Sequence, residues 1–386
     1  MRKKIRILFA VGTMGRGGAE RQLLGILKHL DRTRFEPLLY LASYTGGLLP
    51  EVPEDVPVFA FDQRCLKLPR IRWPGRVHGM RIRDMANVIR ENQIDLVYDR
   101  TSHMTLLSGP ATKLAQCKRI SVVVSNPQMD LTHYEHRFRW MKRRLLKEAY
   151  RTADVVIAVS NGVKQNITDY YGVPESLVRA IYNPIDIARI DRFAAEDVVS
   201  YSSNEFHVVS SGRLHPHKGY WELLEAANIL IHQRQHHSFR FHILGEGTIH
   251  DELQTAIVEK KLEKHFFLEG FQENPFRWLK QANLFCLPSL MEGLPNVLLE
   301  AMACQVPVLS ADCPSGPREI LQGDQFGSLV PPGNALALAD AMEDALLNDS
   351  TWKEKVPAAR KRVEETFALS TGMQKLEELF LELHDR

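Results

Sequence analysis

Residues 285–320 read FCLPSLMEGLPNVLLEAMACQVPVLSADCPSGPREI. The apolar run Leu284–Leu287 predicts a short buried strand that stops at Pro288. After Pro295, the residues Val297, Leu298, Ala301 and Met302 recur at helical spacing. Val306–Ser310 predicts the next strand. The order is strand, loop with an acid, helix, strand, which is the unit of an open α/β sheet. Glu292 falls in the loop at the carboxyl end of the first strand, and Glu300 about two turns on, within the first half of the helix. Ligands bind at that edge of such sheets. Acids near a helix start also cap and solvate it, so composition alone leaves both roles open for the two glutamates.

The same grammar extends backwards. Phe206–Ser210 predicts a strand, followed by Gly212-Arg213-Leu214 and His215-Pro216-His217-Lys218-Gly219, then a helix. Two cations at a strand-to-helix turn suit a diphosphate. Ser238–Leu244 predicts a strand ending at Gly245-Glu246-Gly247, where glycine allows a ligand to approach the backbone. Phe266–Leu268 predicts another, followed by Gly270-Phe271-Gln272. Residues 191–204 read as a polar connector with at most a turn of helix, and Asn183 and Asp186 as turn and hinge residues. Trp352–Leu369 and Thr371–Leu383 predict the closing helices.

In the N-terminal half, Ile5–Val11 predicts a buried strand and Arg21–Leu30 the helix after it, joined by TMGRGGAE at 13–20. Such a glycine turn presents backbone N–H groups to an anion, or simply lets strand and helix pack closely. Its spacing is not the dinucleotide fingerprint. Further strands are predicted at Glu36–Leu41, Val58–Phe61, Ile94–Tyr98, Ile120–Val124, Val155–Val159 and Val178–Ile181. Asp99, Arg100, Thr101, Ser102 and His103 are then expected just past a strand, with His103 as a base, a ligand contact or a cap.

The Glu292-x7-Glu300 arrangement, followed by Val306-Pro307-Val308, resembles the retaining glycosyltransferases of family 4, which have the GT-B fold. The continuation Asp312-Cys313-Pro314-Ser315-Gly316-Pro317-Arg318-Glu319-Ile320 is similar to the subgroup of N-acetylgalactosaminyl transferases that act on polyprenyl-diphosphate-linked oligosaccharides. The resemblance implies two Rossmann-like α/β/α domains facing a central cleft: 1–185 for the acceptor and membrane, and 186–365 for the nucleotide sugar. It also implies a terminal helix, 366–386, crossing back to the first domain. It implies metal-independent transfer of a hexose or N-acetylhexosamine to a hydroxyl with anomeric retention. The best-fitting donor is UDP-N-acetylgalactosamine, the acceptor a lipid-linked glycan of bacterial surface-polysaccharide or glycoprotein-glycan assembly, and no cofactor is needed. A GDP-mannose-dependent enzyme of the same fold is the alternative, followed by a nucleotide-sugar epimerase.

By the same resemblance, Glu292, Arg213 and Lys218 are the catalytic set, with Glu292 on the donor-sugar hydroxyls and the two cations on the departing diphosphate. Glu300 binds the ribose, Gly293, Leu294, Pro295 and Asn296 line the sugar, Gly245 and Phe271 border the nucleotide, and Gly15 and Gly17, with Gly18, lie near the diphosphate. Many relatives place a histidine after the fifth strand; here Ser125 or Asn126 stands there, and neither replaces an imidazole. No Asp-x-Asp metal motif is present.

Charge supplies the remaining expectation. The net charge of +2 divides into +13 over residues 1–185 and −11 over 186–386. Residues 64–83 and 133–150 are basic with interleaved apolar side chains, the second as an amphipathic helix, and both suit an anionic membrane surface. No nucleic-acid module accompanies the charge. The five cysteines are scattered, which suits a reducing compartment. The run Ile5–Val11 is too short for a secretory core. No apolar stretch reaches membrane-span length. The expected location is cytoplasmic, peripheral on the inner face of the membrane.

Overall fold

The computed structural model describes residues 4–65, 75–133, 138–196 and 199–386. The chain divides into two compact units, Met1–Pro184 with Ser370–Arg386, and Ile185–Leu369. Each is a parallel sheet with its own core.

In the first unit the strands are β1 (Ile5–Val11), β2 (Phe35–Leu41), β3 (Val58–Ala60), β4 (Leu96–Arg100), β5 (Lys118–Val123), β6 (Val155–Ala158) and β7 (Val178–Ala180). They lie in the order β3-β2-β1-β4-β5-β6-β7, all pairs parallel. β1 is apolar except at Arg6 and buried at its other six positions, as befits a central strand covered on both faces. The helix Leu369–Asp385 buries Met373, Leu376, Leu379, Phe380 and Leu383, one stripe at helical spacing. Phe380 sits edge-on to Phe9, Phe35 and Tyr98, with ring centroids 6.2, 5.7 and 5.9 Å away. Arg179 donates to both carboxylate oxygens of Glu382 through Nη1 and Nη2, at 2.5 and 2.6 Å.

In the second unit the strands are β8 (Phe206–Ser211), β9 (Phe239–Leu244), β10 (Phe266–Gly270), β11 (Leu284–Leu287), β12 (Val308–Ala311) and β13 (Ser328–Val330). Their order is β10-β9-β8-β11-β12-β13, again parallel. In both sheets the chain starts at the middle, runs to one edge, then returns and runs to the other. The order reverses between β1 and β4 in one unit and between β8 and β11 in the other. In open α/β sheets ligands bind at the carboxyl edge beside such a reversal.

Two expectations are corrected here. The fourth strand does not stop at Tyr98: it runs through Arg100, so Asp99 and Arg100 are strand residues, 0% and 3% exposed. Asp99 is sustained there by hydroxyls of Thr105, Ser108 and Ser121 at 2.6, 2.6 and 2.7 Å, with the Arg119 guanidinium 3.6 Å away. Residues 191–204 hold the expected turn of helix at 191–194, the end of an eight-residue helix, Ile187–Ala194, that begins before the connector and buries Ile190 and Ala194. Asp186 caps it by accepting from the Arg189 N–H at 3.0 Å. The second unit continues past 365 to Leu369, because Ile185 pairs with Ala368 and exchanges backbone hydrogen bonds with Phe367 and Leu369.

Candidate active site

The second unit brings two separated sequence signals together. Lys218 ends a single helical turn, Pro216–Lys218, after β8, and Glu292 lies in the loop after β11. The Lys218 ammonium donates to Glu292 Oε1 at 2.6 Å, and the Ser289 hydroxyl donates to the same oxygen at 2.7 Å. Both charged side chains are largely buried, at 20% and 9% exposure, so the pair acts in a medium where charge is poorly screened. The carboxylate is thereby fixed before any ligand arrives.

Backbone geometry locks these two loops to each other. The Leu290 N–H donates to the His217 carbonyl at 2.8 Å. Gly219, next to Lys218, has φ +71°, and a Cβ there would lie 1.9 Å from the Pro288 carbonyl oxygen. Only glycine permits that approach. Gly245, after β9, is similarly placed: at φ +152° its Cβ would meet the Gly212 carbonyl oxygen at 1.9 Å. The Gly212 N–H donates to Leu244 and the Leu214 N–H to Glu246, so the loops after β8 and β9 are stitched into one rim.

Arg213 is exposed on this rim and makes no ion pair among the described residues. Two histidines separate it from Lys218, with His215 Nδ1 2.7 Å from His217 Nδ1. Burial, then the Lys218 charge, pushes the His217 imidazole down to about 3, and burial with Arg213 lowers His215 as well. At neutral pH the pair is uncharged, so the cations of the rim are Arg213 and Lys218. Gly293, Leu294 and Pro295 are buried beneath the loop, and Asn296 begins the helix Asn296–Ala303. Glu300 lies just past the middle of that helix rather than in its first half, and is half-buried. Phe271 follows β10 and is half-buried. Gln272, beside it, donates to the Glu269 carbonyl at 2.7 Å and accepts from the Trp278 indole at 3.1 Å.

In the first unit, Gly15 and Gly17 lie in the turn after β1, and Gly17 precedes the helix Gly18–His29. That turn is braced from one side. The Met14 N–H donates to Thr45 and its carbonyl accepts from Leu48, at 2.9 Å each. Across the reversal point, Thr101 follows β4 with φ +84° and ψ 147°, a region that β-branched residues almost never occupy. Ser102 and Ser125 line a pocket with Lys142 under apolar walls of Val123, Leu131, Leu146 and Tyr150. Asn126 is buried and accepts from the Met129 N–H at 3.3 Å, which caps the helix Pro127–His133. His103 is exposed.

The basic segments are only partly described, since residues 66–74 and 134–137 lie outside the described residues. Within the first, Arg64 is held by Asp84 and Glu91 at 2.9 and 3.1 Å, so that cation is used inside the fold. In the second, the helix Arg139–Arg151 buries Leu146, Ala149 and Tyr150. Phe138, Trp140, Met141 and Leu145 are instead exposed, at 56%, 71%, 42% and 51%. Among the described residues no helix is long and apolar enough to cross a membrane, and no cluster of three or more metal-ligating side chains forms.

Ser289 and the His215–His217 pair were missed in the sequence. Ser289 carried a usable signal, a hydroxyl three residues before the acid in one loop. The histidine contact depends on the Pro216–Lys218 turn and had none.

Two doubly wound sheets, with a Lys–Glu pair at the reversal point of the second, define a class that comparison with known proteins makes specific. The chain belongs to the GT-B glycosyltransferases: residues 193–362 match the family described as glycosyl transferases group 1, and residues 16–189 match Glycosyltransferase Family 4. It is 26% identical over 365 residues to the N-acetylgalactosamine-N,N'-diacetylbacillosaminyl-diphospho-undecaprenol 4-alpha-N-acetylgalactosaminyltransferase of Campylobacter jejuni, covering 91% of this chain and 92% of that one. It is 27% identical over 242 residues to the lipopolysaccharide 1,6-galactosyltransferase of Escherichia coli, covering 61% and 62% of the two chains. Among solved structures, HepE of Anabaena in complex with UDP superposes with a TM-score of 0.79 at 22% identity, over 98% of this chain and all of that one, which establishes a shared fold.

Proposed function

We propose that this glycosyltransferase moves an N-acetylhexosamine or hexose, with N-acetylgalactosamine as first choice, from a UDP-linked donor to a hydroxyl of a polyprenyl-diphosphate-linked glycan. The observation that carries the reading is the Lys218–Glu292 contact at the reversal point of the second sheet. Lys218 and Arg213 supply charge for the departing diphosphate, a task that oriented cations perform without a metal. Glu292, fixed by Lys218 and Ser289, receives donor-sugar hydroxyls. As the diphosphate gains charge, Lys218 is attracted to it while remaining bonded to Glu292. Glu300 takes the ribose, and the Gly293–Asn296 backbone closes the sugar pocket. Attack from the leaving-group side, with a diphosphate oxygen taking the acceptor proton, gives retention.

Support for the acceptor comes from the curated relative in C. jejuni, whose name specifies a diphospho-undecaprenol substrate. The exposed Trp140, Met141 and Leu145 beside Arg139, Arg144 and Lys147 suit a peripheral stance on an anionic cytoplasmic leaflet. The test is a panel of radiolabelled UDP- and GDP-sugars, each offered with a short polyprenyl-diphosphate-linked acceptor. Label reaching the lipid from a UDP-N-acetylhexosamine supports the reading. Label only from GDP-mannose moves the enzyme to a different donor, and none from any donor defeats the proposal.

A further inference from the structure

The two oxygens of Glu292 are not equivalent. Oε1 accepts from the Lys218 ammonium at 2.6 Å and from the Ser289 hydroxyl at 2.7 Å. No donor among the described residues reaches Oε2, and that oxygen is not sealed away from solvent. A carboxylate that is free to turn can bridge two neighbouring sugar hydroxyls, one on each oxygen. Here two donors load Oε1, one of them charged, so a sugar meets Oε2 alone. Buried polar atoms need partners, and the protein supplies them to one side of this carboxylate only.

The two donors on Oε1 respond differently to a charged ligand. Lys218 closes a single helical turn, keeps 20% of its side chain exposed, and has three N–H groups, of which Glu292 takes one. A diphosphate beside it competes for the ammonium, because charge is poorly screened there. Ser289 has no such freedom. It is 0% exposed, has one proton to give, and gives it to Oε1. Its neighbours on both sides are fixed: the Leu290 N–H donates to the His217 carbonyl at 2.8 Å, and the Pro288 carbonyl oxygen lies against Gly219. Ser289 therefore keeps Oε1 turned inward while the ammonium is drawn toward the leaving group. We propose that Ser289 is a positioning residue for the donor: it holds Glu292 so that Oε2 alone reads the sugar, at one hydroxyl, which makes the site selective for the configuration at a single ring carbon. This rests on the reading that Glu292 faces the donor sugar.

The experiment compares wild type, Ser289→Ala and Ser289→Cys on a parent donor and the set of its monodeoxy analogues. The parent is whichever nucleotide sugar wild type transfers or hydrolyses fastest, so the outcome does not hang on the identity of the donor. Ser289→Ala should leave UDP affinity within about twofold and lower kcat with the parent by about tenfold or more, the loss of one hydrogen bond to a charged group. One analogue, lacking the hydroxyl that meets Oε2, should be slow in wild type and lose nothing further in Ser289→Ala, because two deletions in one contact are not additive. The other analogues should keep the gap between the two proteins. Ser289→Cys retains a weak donor of similar size and should recover part of the rate. An equal loss with every analogue, a gap abolished by two different deletions, or an unchanged kcat overturns the proposal and leaves Ser289 as a buried hydroxyl satisfied by the nearest carboxylate. A GDP-linked parent, or label that never reaches the lipid, sinks the function proposed above instead, while donor hydrolysis across the analogues still reports on Ser289. A wild type that turns over no nucleotide sugar overturns both.

Discussion

His207 shows how one buried side chain sets a pH dependence. Its Nδ1 lies 3.0 Å from His242 Nε2, and its ring stacks on Tyr201 at 4.1 Å. His242 in turn meets Glu269 at 2.8 Å, while Glu205 lies 3.6 Å from His207 and also binds Arg240. Burial, then the His242 charge, pushes the His207 imidazole down to about 4, with Glu205 opposing. Its pKa in the unfolded chain is about 6.5. Between those values the unfolded state binds more protons, so stability falls as pH drops from about 6.5 to about 4, by at most about 3 kcal/mol from this group. Urea midpoints across that range should show the slope, and His207→Phe should flatten it; an unchanged slope would exclude His207 as its source. At this scale the sequence was legible where chemistry is local. Glu292, Lys218 and Arg213 each stood at a readable strand end. Asp99 and Arg100 were misread as loop residues because charges inside a strand depend on partners such as Ser121 and Asn183, which no local pattern reveals.

The elements that matter most are the loops after β8 and β11. They are held by one backbone hydrogen bond and by the close approach of Gly219 to Pro288. Gly219→Ala should cost about 1–3 kcal/mol from the left-handed conformation alone, and the clash must displace Lys218 from Glu292 as well. A lowered denaturation midpoint with loss of transfer activity is expected. A variant with wild-type turnover would show that the loop contact does not position the pair. Strands were the best-read elements, because continuous apolar runs bounded by glycine and proline mark parallel sheets. The helix Ile187–Ala194 was legible only as a possible turn in its last four residues, 191–194. It spans two turns, too few for periodicity to show, and its Asp186 cap looks the same as a turn residue in sequence.

On the scale of the molecule, the chain leaves its first unit at Pro184 and re-enters it at Ser370. The first unit is therefore completed by the last helix. Phe380→Ala removes a fully buried ring from the Phe9, Phe35 and Tyr98 cluster and should cost about 3–5 kcal/mol in the unfolding of that unit. Hydrogen exchange in β1 and β4 should rise while β8 and β11 stay protected; a uniform rise would mean the units unfold as one. The central claim is that the Lys218–Glu292 centre transfers sugar from a UDP-linked donor to a lipid-diphosphate glycan. Its most direct test compares wild type with Glu292→Gln for transfer of labelled N-acetylgalactosamine from UDP to a polyprenyl-diphosphate-linked acceptor, with UDP affinity measured alongside. The account predicts labelled lipid from wild type, a turnover lowered by about a hundredfold or more in the variant, and UDP affinity within about threefold. Equal turnover in the two proteins, or lost UDP binding with turnover per bound complex intact, would contradict it.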